Sequence, residues 1–188
     1  MTLQLLKKSD LPTAAWKNGG GATSEVAIFP SHATLIESNF EWRVSTATVA
    51  ANGPFSVFPG YDRSLVIWKG EGLLINGAEK RRFSPFHFRG EEPIIADLIA
   101  GAVQDFGVIA RRSLFATEIF VQSLQEEGSL HVKVQHETFI LCASGEIRVG
   151  EFYLNPGDVV RASGVGVVFV KALEASHLVL ASIQEASG

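Results

Sequence analysis

The chain has 188 residues, of which 46% are hydrophobic and 19% are charged, and its formal net charge at pH 7 is −4. This length and hydrophobic fraction allow a substantial buried core, in one domain or in two small ones. The negative charge and the lack of a basic cluster argue against a nucleic-acid partner and against an anionic membrane surface. No apolar run reaches the ~20 residues of a membrane helix, and residues 1–10 lack the apolar stretch of a signal peptide, so we expect a cytoplasmic protein.

Alternation of apolar and polar residues predicts that the chain is built mainly of short β-strands. Residues 8–15 contain Pro12 and indicate a connection, and residues 31–39 are predicted to form a turn or a short helix. Evenly spaced strands separated by Gly, Asn or Pro, without a convincing amphipathic helix, are typical of a sandwich or barrel of antiparallel strands. The predicted strands are residues 2–6, 22–28, 41–50, 64–68, 73–75, 86–88 and 94–99.

The second half of the chain repeats the pattern of the first half. An apolar strand, a turn with Gly-Glu and a second apolar strand occur at residues 65–75 and again at residues 139–149. A turn that contains proline and a further apolar strand follow in both copies. A period of roughly 70 to 75 residues indicates two copies of one small β-fold, with the junction near residues 105–113.

The order of strands and turns in each copy resembles the cupin family, whose jelly-roll barrel holds its site between two sheets. The resemblance implies an all-β bicupin, with two jelly-roll β-barrels packed in one compact unit. We expect residues 1–107 to form an N-terminal cupin-like barrel that carries a polar pocket. Residues 108–188 are expected to form a degenerate C-terminal cupin-like barrel.

The histidines do not complete the metal motif of this family. Cupins usually bind a metal through a motif that resembles H-x-H, a Glu about five residues on and a Gly about seven beyond it, with a later His. We therefore expect no metal and no cofactor, with structural or surface roles for His131 and His136. Anchored on Gly145, the four ligand places hold His131, Lys133, Thr138 and Val168; anchored on Gly70, three of them hold Ser56, Phe58 and Arg63.

The lone cysteine, Cys142, lies in an apolar run at residues 138–143. A small buried thiol is the expected role for a cysteine in such a run, rather than a nucleophile.

The stretch from Trp16 to Glu25 is the predicted functional site. Three consecutive glycines lose much backbone freedom on folding, so a protein keeps them where side chains cannot fit. The lysine precedes the glycines and a strand pattern follows them, which excludes a P-loop and a dinucleotide fingerprint. In that strand Thr23 and Glu25 share a face, and if it points inward they form a polar wall of a cavity. The alternative is a glycine turn followed by a solvated strand.

Three longer runs resemble the HutD/Ves family of bicupins. They are W-K-N-G-G-G-x-T-x-E at residues 16–25, W-R-x-S-x-A-x-V at 42–49 and G-P-F-S-x-F-P-G-x-D-R at 53–63, with Asp105-Phe106 further on. The match is dense over residues 12–107. In the remainder of the chain only the pattern of the family agrees. Members of this family occur in bacteria, some encoded with the histidine-utilisation pathway, which implies a regulatory or ligand-binding role without an established reaction. The family commonly has Asn after Asp-Phe, whereas this chain has Gly107.

The polar groups of the first half suggest a site for a small carboxylated metabolite that also carries an amide or amine, of the kind found in histidine breakdown. Arginines suit bidentate contact with a carboxylate, and the amides of the glycine loop add donors. Buried charges must be paired, so some groups pair with each other and others are left for the ligand. Alternatively, Asp62 pairs with Arg63 at a turn, and Arg43 is structural and paired with Glu25. The predicted ligand-binding residues are Trp16, Lys17, Asn18, Gly19, Gly20, Thr23, Glu25, Arg43, Ser45, Arg63 and Asp105.

Two classes of function fit these residues. The first is a non-catalytic binder or regulator that senses the metabolite. The second is a metal-independent cupin enzyme, an isomerase or hydrolase, with Glu25 as general base and Lys17 or Arg43 stabilising negative charge. The sequence shows no recognisable pair of a nucleophile and a base, and this favours the non-catalytic binding protein. The sequence leaves open whether two copies of the chain form a homodimer.

Overall fold

The computed structural model describes residues 1–35 and 39–186, and nearly all regular structure in them is β-strand. A 3-10 helix at Lys8–Asp10 is the one helical element of these residues, and it lies in the connection predicted there. No helix in this part of the chain is long and apolar enough to cross a membrane. The turn or short helix predicted at residues 31–39 is described only in part, because residues 36–38 lie outside the described residues.

The strands are numbered in chain order. They are β1 (Thr2–Leu6), β2 (Thr13–Ala15), β3 (Gly21–Phe29), β4 (Trp42–Val49), β5 (Gly53–Pro54), β6 (Tyr61–Lys69), β7 (Gly72–Ile75), β8 (Ala78–Arg81), β9 (Phe86–Arg89), β10 (Ile95–Leu98), β11 (Val103–Arg111), β12 (Phe115–Leu124), β13 (Ser129–Val134), β14 (Glu137–Ser144), β15 (Ile147–Val149), β16 (Phe152–Leu154), β17 (Val159–Ser163), β18 (Gly166–Ala172) and β19 (Ser176–Glu185).

The chain folds into two compact units. The N-terminal unit is Pro12–Ala116 with the chain end from Glu185, and the C-terminal unit is Met1–Leu11 with Thr117–Gln184. These limits differ from the predicted division into residues 1–107 and 108–188. The strand β11 runs through the predicted boundary, and β1 pairs antiparallel with β17, which carries the first residues of the chain into the C-terminal unit.

The N-terminal unit consists of two antiparallel sheets with a core between them. One sheet has the order β2-β3-β4-β11-β6-β9 and the other has the order β5-β10-β7-β8. Because buried apolar residues from both sheets form a single cluster, the sheets face each other as in a jelly roll. The buried members of this cluster are Val49, Leu65, Ile67, Leu73, Ile75, Phe86, Ile94, Ala96 and Val103.

The C-terminal unit repeats this topology. Its sheets have the orders β1-β17-β14-β19-β12 and β13-β18-β15-β16, so β12-β19-β14-β17 corresponds to β4-β11-β6-β9 and β13-β18-β15-β16 to β5-β10-β7-β8. The strand β7 begins at residue 72 and its counterpart β15 at residue 147, while β11 begins at residue 103 and β19 at residue 176. These spacings confirm the internal repeat. Each unit is a two-sheet jelly roll whose sheets remain separate in the described residues, and not a continuous hydrogen-bonded barrel.

Most predicted strands are confirmed, with shifts at their ends. The strand predicted at residues 64–68 begins earlier, at Tyr61, because Asp62 and Arg63 pair with Arg89 and Phe88 of β9. This extension places Arg63 in a sheet and not in a turn. Asp62 is tolerated in the strand because its face of the ladder reaches solvent, whereas Arg63 lies on the opposite face.

Cys142 lies fully buried in the core of the C-terminal unit, as the apolar run predicted. Burial raises the pKa of its thiol to about 12, and Asp158 adds to the effect. A thiol in this environment stays protonated at neutral pH and is a poor nucleophile.

Candidate functional site

The glycine run forms the tip of the hairpin between β2 and β3. The amide of Trp16 donates to the carbonyl of Gly21 at 2.9 Å, and the amide of Gly19 donates to the carbonyl of Trp16 at 3.0 Å. Gly19 has a φ of 71°, a left-handed conformation that other residues rarely adopt. A Cβ at Gly21 would collide with the backbone oxygen of Thr48 on the neighbouring strand. The loop therefore needs glycine at these two positions for different reasons.

The other side chains of the loop serve the loop itself or face solvent. The indole Nε1 of Trp16 donates to the hydroxyl of Thr23 at 2.8 Å, which holds the ring against the start of β3. The Asn18 side-chain oxygen accepts from the amide of Gly20 at 3.0 Å, as in an Asx turn. Lys17 and Gly19 are exposed, whereas Gly20 is buried. The structure thus places Lys17 at the tip of the hairpin.

Strand register brings six predicted site residues onto one face of the six-stranded sheet. Three cross-strand rows set this arrangement. Side chains within one cross-strand row point to the same side of a sheet. Leu65 and Ile67 continue two of these rows on β6, and both belong to the core. The polar residues therefore line the inner face of the N-terminal unit; we call this set the polar face. The rows are Thr23–Ala47–Asp105, Glu25–Ser45–Gly107 and Arg43–Ile109–Arg63.

Arg43 and Glu25 form an ion pair within the polar face. The Nε of Arg43 lies 2.9 Å from Oε2 of Glu25, and the side chains are 9% and 32% exposed. This is the structural pairing that the sequence left open as an alternative. Glu25 is therefore the anionic partner of the buried Arg43 guanidinium, and the pair has a structural role within the protein.

Arg63 has no such carboxylate partner among the described residues. Its Nη1 donates to the carbonyl of Ser56 at 3.0 Å, and its Nε is buried without a hydrogen-bond partner. Burial lowers the pKa of the guanidinium to about 10, an effect that Asp105 opposes and Arg43 reinforces. The group therefore remains a cation at neutral pH, with donor capacity to spare.

Three phenyl rings hold the guanidinium of Arg63 in place. Its Cζ lies 5.3 Å from the ring centre of Phe55, 5.5 Å from that of Phe58 and 4.9 Å from that of Phe88. Phe55 and Phe58 belong to the G-P-F-S-x-F-P-G run, so this motif supplies two walls of the cage. Aromatic faces attract a cation without neutralising it, and they leave its in-plane donors available.

Asp62 does not pair with Arg63, which was the alternative that the sequence left open. Successive residues of a strand point to opposite faces, so Asp62 lies away from the polar face. Its Oδ1 instead accepts from Nε of Arg112 at 2.7 Å, and Arg112 also contacts Glu91 at 2.8 Å.

Asp105 is the buried acid of the polar face. Its residue is 5% exposed, and none of the described cations lies within ion-pair distance of its carboxyl. Burial raises the pKa of Asp105 to about 7, although Arg63 and the backbone amide of Ala47 oppose this rise. The carboxyl therefore changes charge near neutral pH, beside a cationic guanidinium.

The corresponding face of the C-terminal unit is largely apolar. Strand pairing shows which positions correspond in the two units. In the N-terminal unit Asp105 pairs with Ile67 and Ile109 pairs with Arg63. In the C-terminal unit Leu178 pairs with Cys142 and Ser182 pairs with Thr138. Leu178 therefore stands where Asp105 does, and Thr138 stands where Arg63 does. Gly107 corresponds to Leu180, and a Cβ at Gly107 would lie 3.2 Å from Cγ of Leu65. The N-terminal unit thus carries charged residues at positions where the C-terminal unit has Leu178 and Thr138.

A partly open cleft of about 180 Å³ lies in the C-terminal unit, and the sequence pattern does not reveal it as a site. It forms between β12, the end of β13, β14 and β19. Cleft positions on different strands come together only through pairing across many residues, so no local motif marks them. The lining residues are Glu118, Phe120, Val132, Lys133, Gln135, His136, Thr138, Leu180, Ala181, Ser182 and Gln184.

The cupin ligand positions in this unit are not gathered into a metal site. His131 faces outward, with its ring 5.2 Å from that of Phe169, while His136 lines the cleft. The two histidines do not share a strand, because β13 ends at Val134 and β14 begins at Glu137. Among residues 1–35 and 39–186, no group of three or more His, Cys, Asp or Glu residues is placed to hold a metal.

Two jelly rolls whose eight corresponding strands have the same order in one chain define a bicupin. The sequence matches the HutD family over residues 8–180, which is most of the chain. The protein therefore belongs to the HutD family.

Individual relatives agree with this membership. The chain is 38% identical over 112 residues to an uncharacterised 21.2 kDa protein in the hutC 3′ region of Pseudomonas putida, with 57% of each chain covered. It is 33% identical over 108 residues to protein Ves of Citrobacter koseri, with 54% of each covered. The chain spans about half the length of these curated relatives.

Solved structures show the same fold over nearly the whole chain. A conserved protein of unknown function from Pseudomonas aeruginosa PAO1 is 26% identical, with a TM-score of 0.81 and coverage of 98% of this chain and 100% of that one. HutD from Pseudomonas fluorescens SBW25, in a formate condition, is 23% identical, with a TM-score of 0.79 and coverage of 99% and 100%.

Proposed function

We propose that the N-terminal unit binds a small carboxylated metabolite on its polar face, in a regulatory role linked to histidine utilisation. The observation that carries this proposal is the state of Arg63. Its guanidinium is partly buried, its Nε is buried without a hydrogen-bond partner, and no carboxylate among the described residues contacts it. A partly buried cation without an anionic partner offers an anion that reaches it a charge-assisted interaction.

The aromatic cage suits a carboxylate ligand better than a phosphate. Phe55, Phe58 and Phe88 restrict the guanidinium to one orientation, which lowers the entropy lost when two parallel hydrogen bonds form. Only one unpaired arginine contributes to the polar face, and a dianion would need more positive charge. A single carboxylate matches this charge.

Polar groups near Arg63 would determine which second functional group the ligand carries besides its carboxylate. Ser45 offers a hydroxyl in the same cross-strand row as Gly107. Asp105 in its neutral form donates a hydrogen bond, and in its ionised form accepts one. These groups suit an amide or amine attached near the carboxylate.

Names of relatives support the link to histidine metabolism. The Pseudomonas putida relative is described by its position in the hutC 3′ region. Formate is the smallest carboxylate, and a site built on Arg63 would accept it.

Calorimetric titration of the full chain tests the proposal. Formate and the carboxylated intermediates of histidine breakdown should bind, whereas formamide, which lacks the negative charge, should not. Arg63→Gln should weaken binding by at least about tenfold, because the charged donor is lost. Arg89→Gln is the matched control, since Arg89 is an exposed arginine on the strand that pairs with Arg63 and is expected to leave affinity unchanged. Equal binding by Arg63→Gln and the parent would refute the proposal.

The second candidate function is a metal-independent enzyme, and Asp105 is the observation that favours it. A carboxyl whose pKa is raised to about 7 can take or give a proton at neutral pH. It is a better acid–base group than Glu25, which is held by Arg43. Purified protein should then convert a metabolite that it binds, and Asp105→Asn should bind it without turnover. Binding without any product in the parent would leave the first function in place.

A further inference from the structure

The cleft of the C-terminal unit gathers polar side chains that have no partner in the protein. None of its seven polar side chains hydrogen-bonds or forms an ion pair with another of the described residues. Unpaired groups that converge on a concave surface are typical of a binding site. These side chains are Glu118, Lys133, Gln135, His136, Thr138, Ser182 and Gln184.

The floor of the cleft carries two hydroxyls side by side. Thr138 and Ser182 are cross-strand partners of β14 and β19, and they point to the inner face. Thr138 is only 5% exposed as a residue, and it lines the cleft. Val132 and Leu180, both in the core, form the apolar part of the floor. Two hydroxyls beside an apolar surface favour a ligand that offers both hydrogen bonds and an apolar face.

The charge of the lining selects a neutral ligand. Glu118 and Lys133 contribute one negative and one positive charge, so neither an anion nor a cation is favoured as a whole. The amides of Gln135 and Gln184, like the hydroxyls, donate and accept hydrogen bonds. Vicinal hydroxyls of a polyol have the same double capacity.

The size and lining of the cleft restrict the class of ligand further. A volume of about 180 Å³ is below the roughly 300–1,000 Å³ of sites for drug-sized ligands, which suits a single ring. Phe120 lines the cleft and is 49% exposed, so one face of its ring is available to cover an apolar surface of the ligand. A sugar ring offers such a surface on its C–H face.

We propose that this cleft is a second ligand site, which binds a neutral polyhydroxylated molecule of single-ring size, such as a monosaccharide. The site is independent of the carboxylate site, because all its residues belong to the C-terminal unit.

Nuclear magnetic resonance titration of the full chain with D-glucose, D-galactose and D-ribose tests this proposal. At least one sugar should produce saturable shifts of the backbone amides of Gln135, Thr138 and Ser182, and the amide of Arg63 should not respond. No saturable shift with any of the three sugars would overturn the proposal. Shifts centred on the polar face, or equal shifts with acetate or glycine, would overturn it as well.

Variants identify the groups that bind. Thr138→Val keeps the shape but removes the hydroxyl, and Phe120→Ala removes an exposed ring whose loss should not affect folding. Each should raise the dissociation constant for the sugar by about tenfold. Thr2→Val, an exposed threonine of the same unit outside the cleft, is the control and should not change it. Unchanged affinity in both cleft variants would contradict the proposal even if the sugar binds.

Discussion

At the scale of single residues, the sequence predicts which side chains share a face but not which of them pair. The two-residue period of a strand places Arg43 and Ser45 on one side, and the register confirms this arrangement. The partner of Asp62 could not be predicted, because Arg112 lies 50 residues along the chain. The raised pKa of Asp105 likewise depends on burial by strands that meet only in the folded state.

Arg43 is expected to affect stability more than ligand affinity. In Arg43→Lys the shorter ammonium loses the Nε contact with Glu25, so the free energy of unfolding should fall by about 1–3 kcal/mol. Urea denaturation of the parent, Arg43→Lys, Glu25→Gln and the double variant measures this change and the coupling of the pair. A variant with parental stability but tenfold weaker binding of formate would place Arg43 at the ligand instead.

Asp105 makes stability depend on pH in a known direction. Its pKa is raised in the folded state, from 3.8 to about 7, so its contribution to stability is present below about pH 4 and is lost as the pH rises through about 7. Asp105→Asn should therefore be more stable than the parent at pH 8, by at most about 4 kcal/mol. The difference should shrink towards pH 4. A constant difference across this range, measured by thermal unfolding, would show that the carboxyl does not titrate as described.

The same titration should weaken carboxylate binding at high pH. Ionised Asp105 lies on the same face as the proposed anion and repels it, so affinity for formate should fall as the pH rises through about 7. Calorimetric titrations at pH 6 and pH 8 compare the two states. The Asp105→Asn variant should bind equally well at both values, and a parent with unchanged affinity would contradict the assignment.

At the scale of elements, local patterns predict the strands and the glycine turn, while pairing sets their ends. The run Gly19–Gly21 marks a loop in the sequence, but the reason for each glycine appears only when β3 meets β4. Similarly, residues 2–6 have the pattern of a strand, but their partner β17 lies near the other end of the chain. A strand with no nearby partner cannot be assigned to a sheet from local sequence.

Two glycine substitutions should differ in cost. Gly21→Ala places a Cβ against the backbone oxygen of Thr48, which cannot move without disturbing the sheet. Gly19→Ala meets no atom within 4 Å and suffers only from the left-handed φ. We expect Gly19→Ala to lower the free energy of unfolding by about 1–2 kcal/mol, and Gly21→Ala to lower it by more. Chemical denaturation that ranks the two variants in the opposite order would contradict this account of the loop.

At the scale of the whole molecule, the repeat in the sequence predicts the repeated topology. The Gly-Glu turns fall between the same strands in both units, so the period was visible without the structure. The contrast between the two inner faces was less visible, because it requires matching Asp105 to Leu178 through strand pairing. The cleft of the C-terminal unit was not predicted at all, since four separate strands build it.

The expectation that the protein holds no tightly bound transition metal remains a prediction. It rests on the incomplete ligand sets at His131 and its neighbours, where lysine and threonine stand in the other places. Elemental analysis after extensive dialysis should find iron, manganese, nickel and zinc far below one atom per chain. A near-stoichiometric metal would require a site formed by other residues.

A crystal structure of the protein soaked with formate would show whether Arg63 holds a carboxylate. We expect a carboxylate on the polar face with both oxygens about 2.7–3.2 Å from the nitrogens of Arg63. The Phe55, Phe58 and Phe88 rings should keep their positions. An anion bound only elsewhere, with Arg63 still without an anionic partner, would contradict the claim.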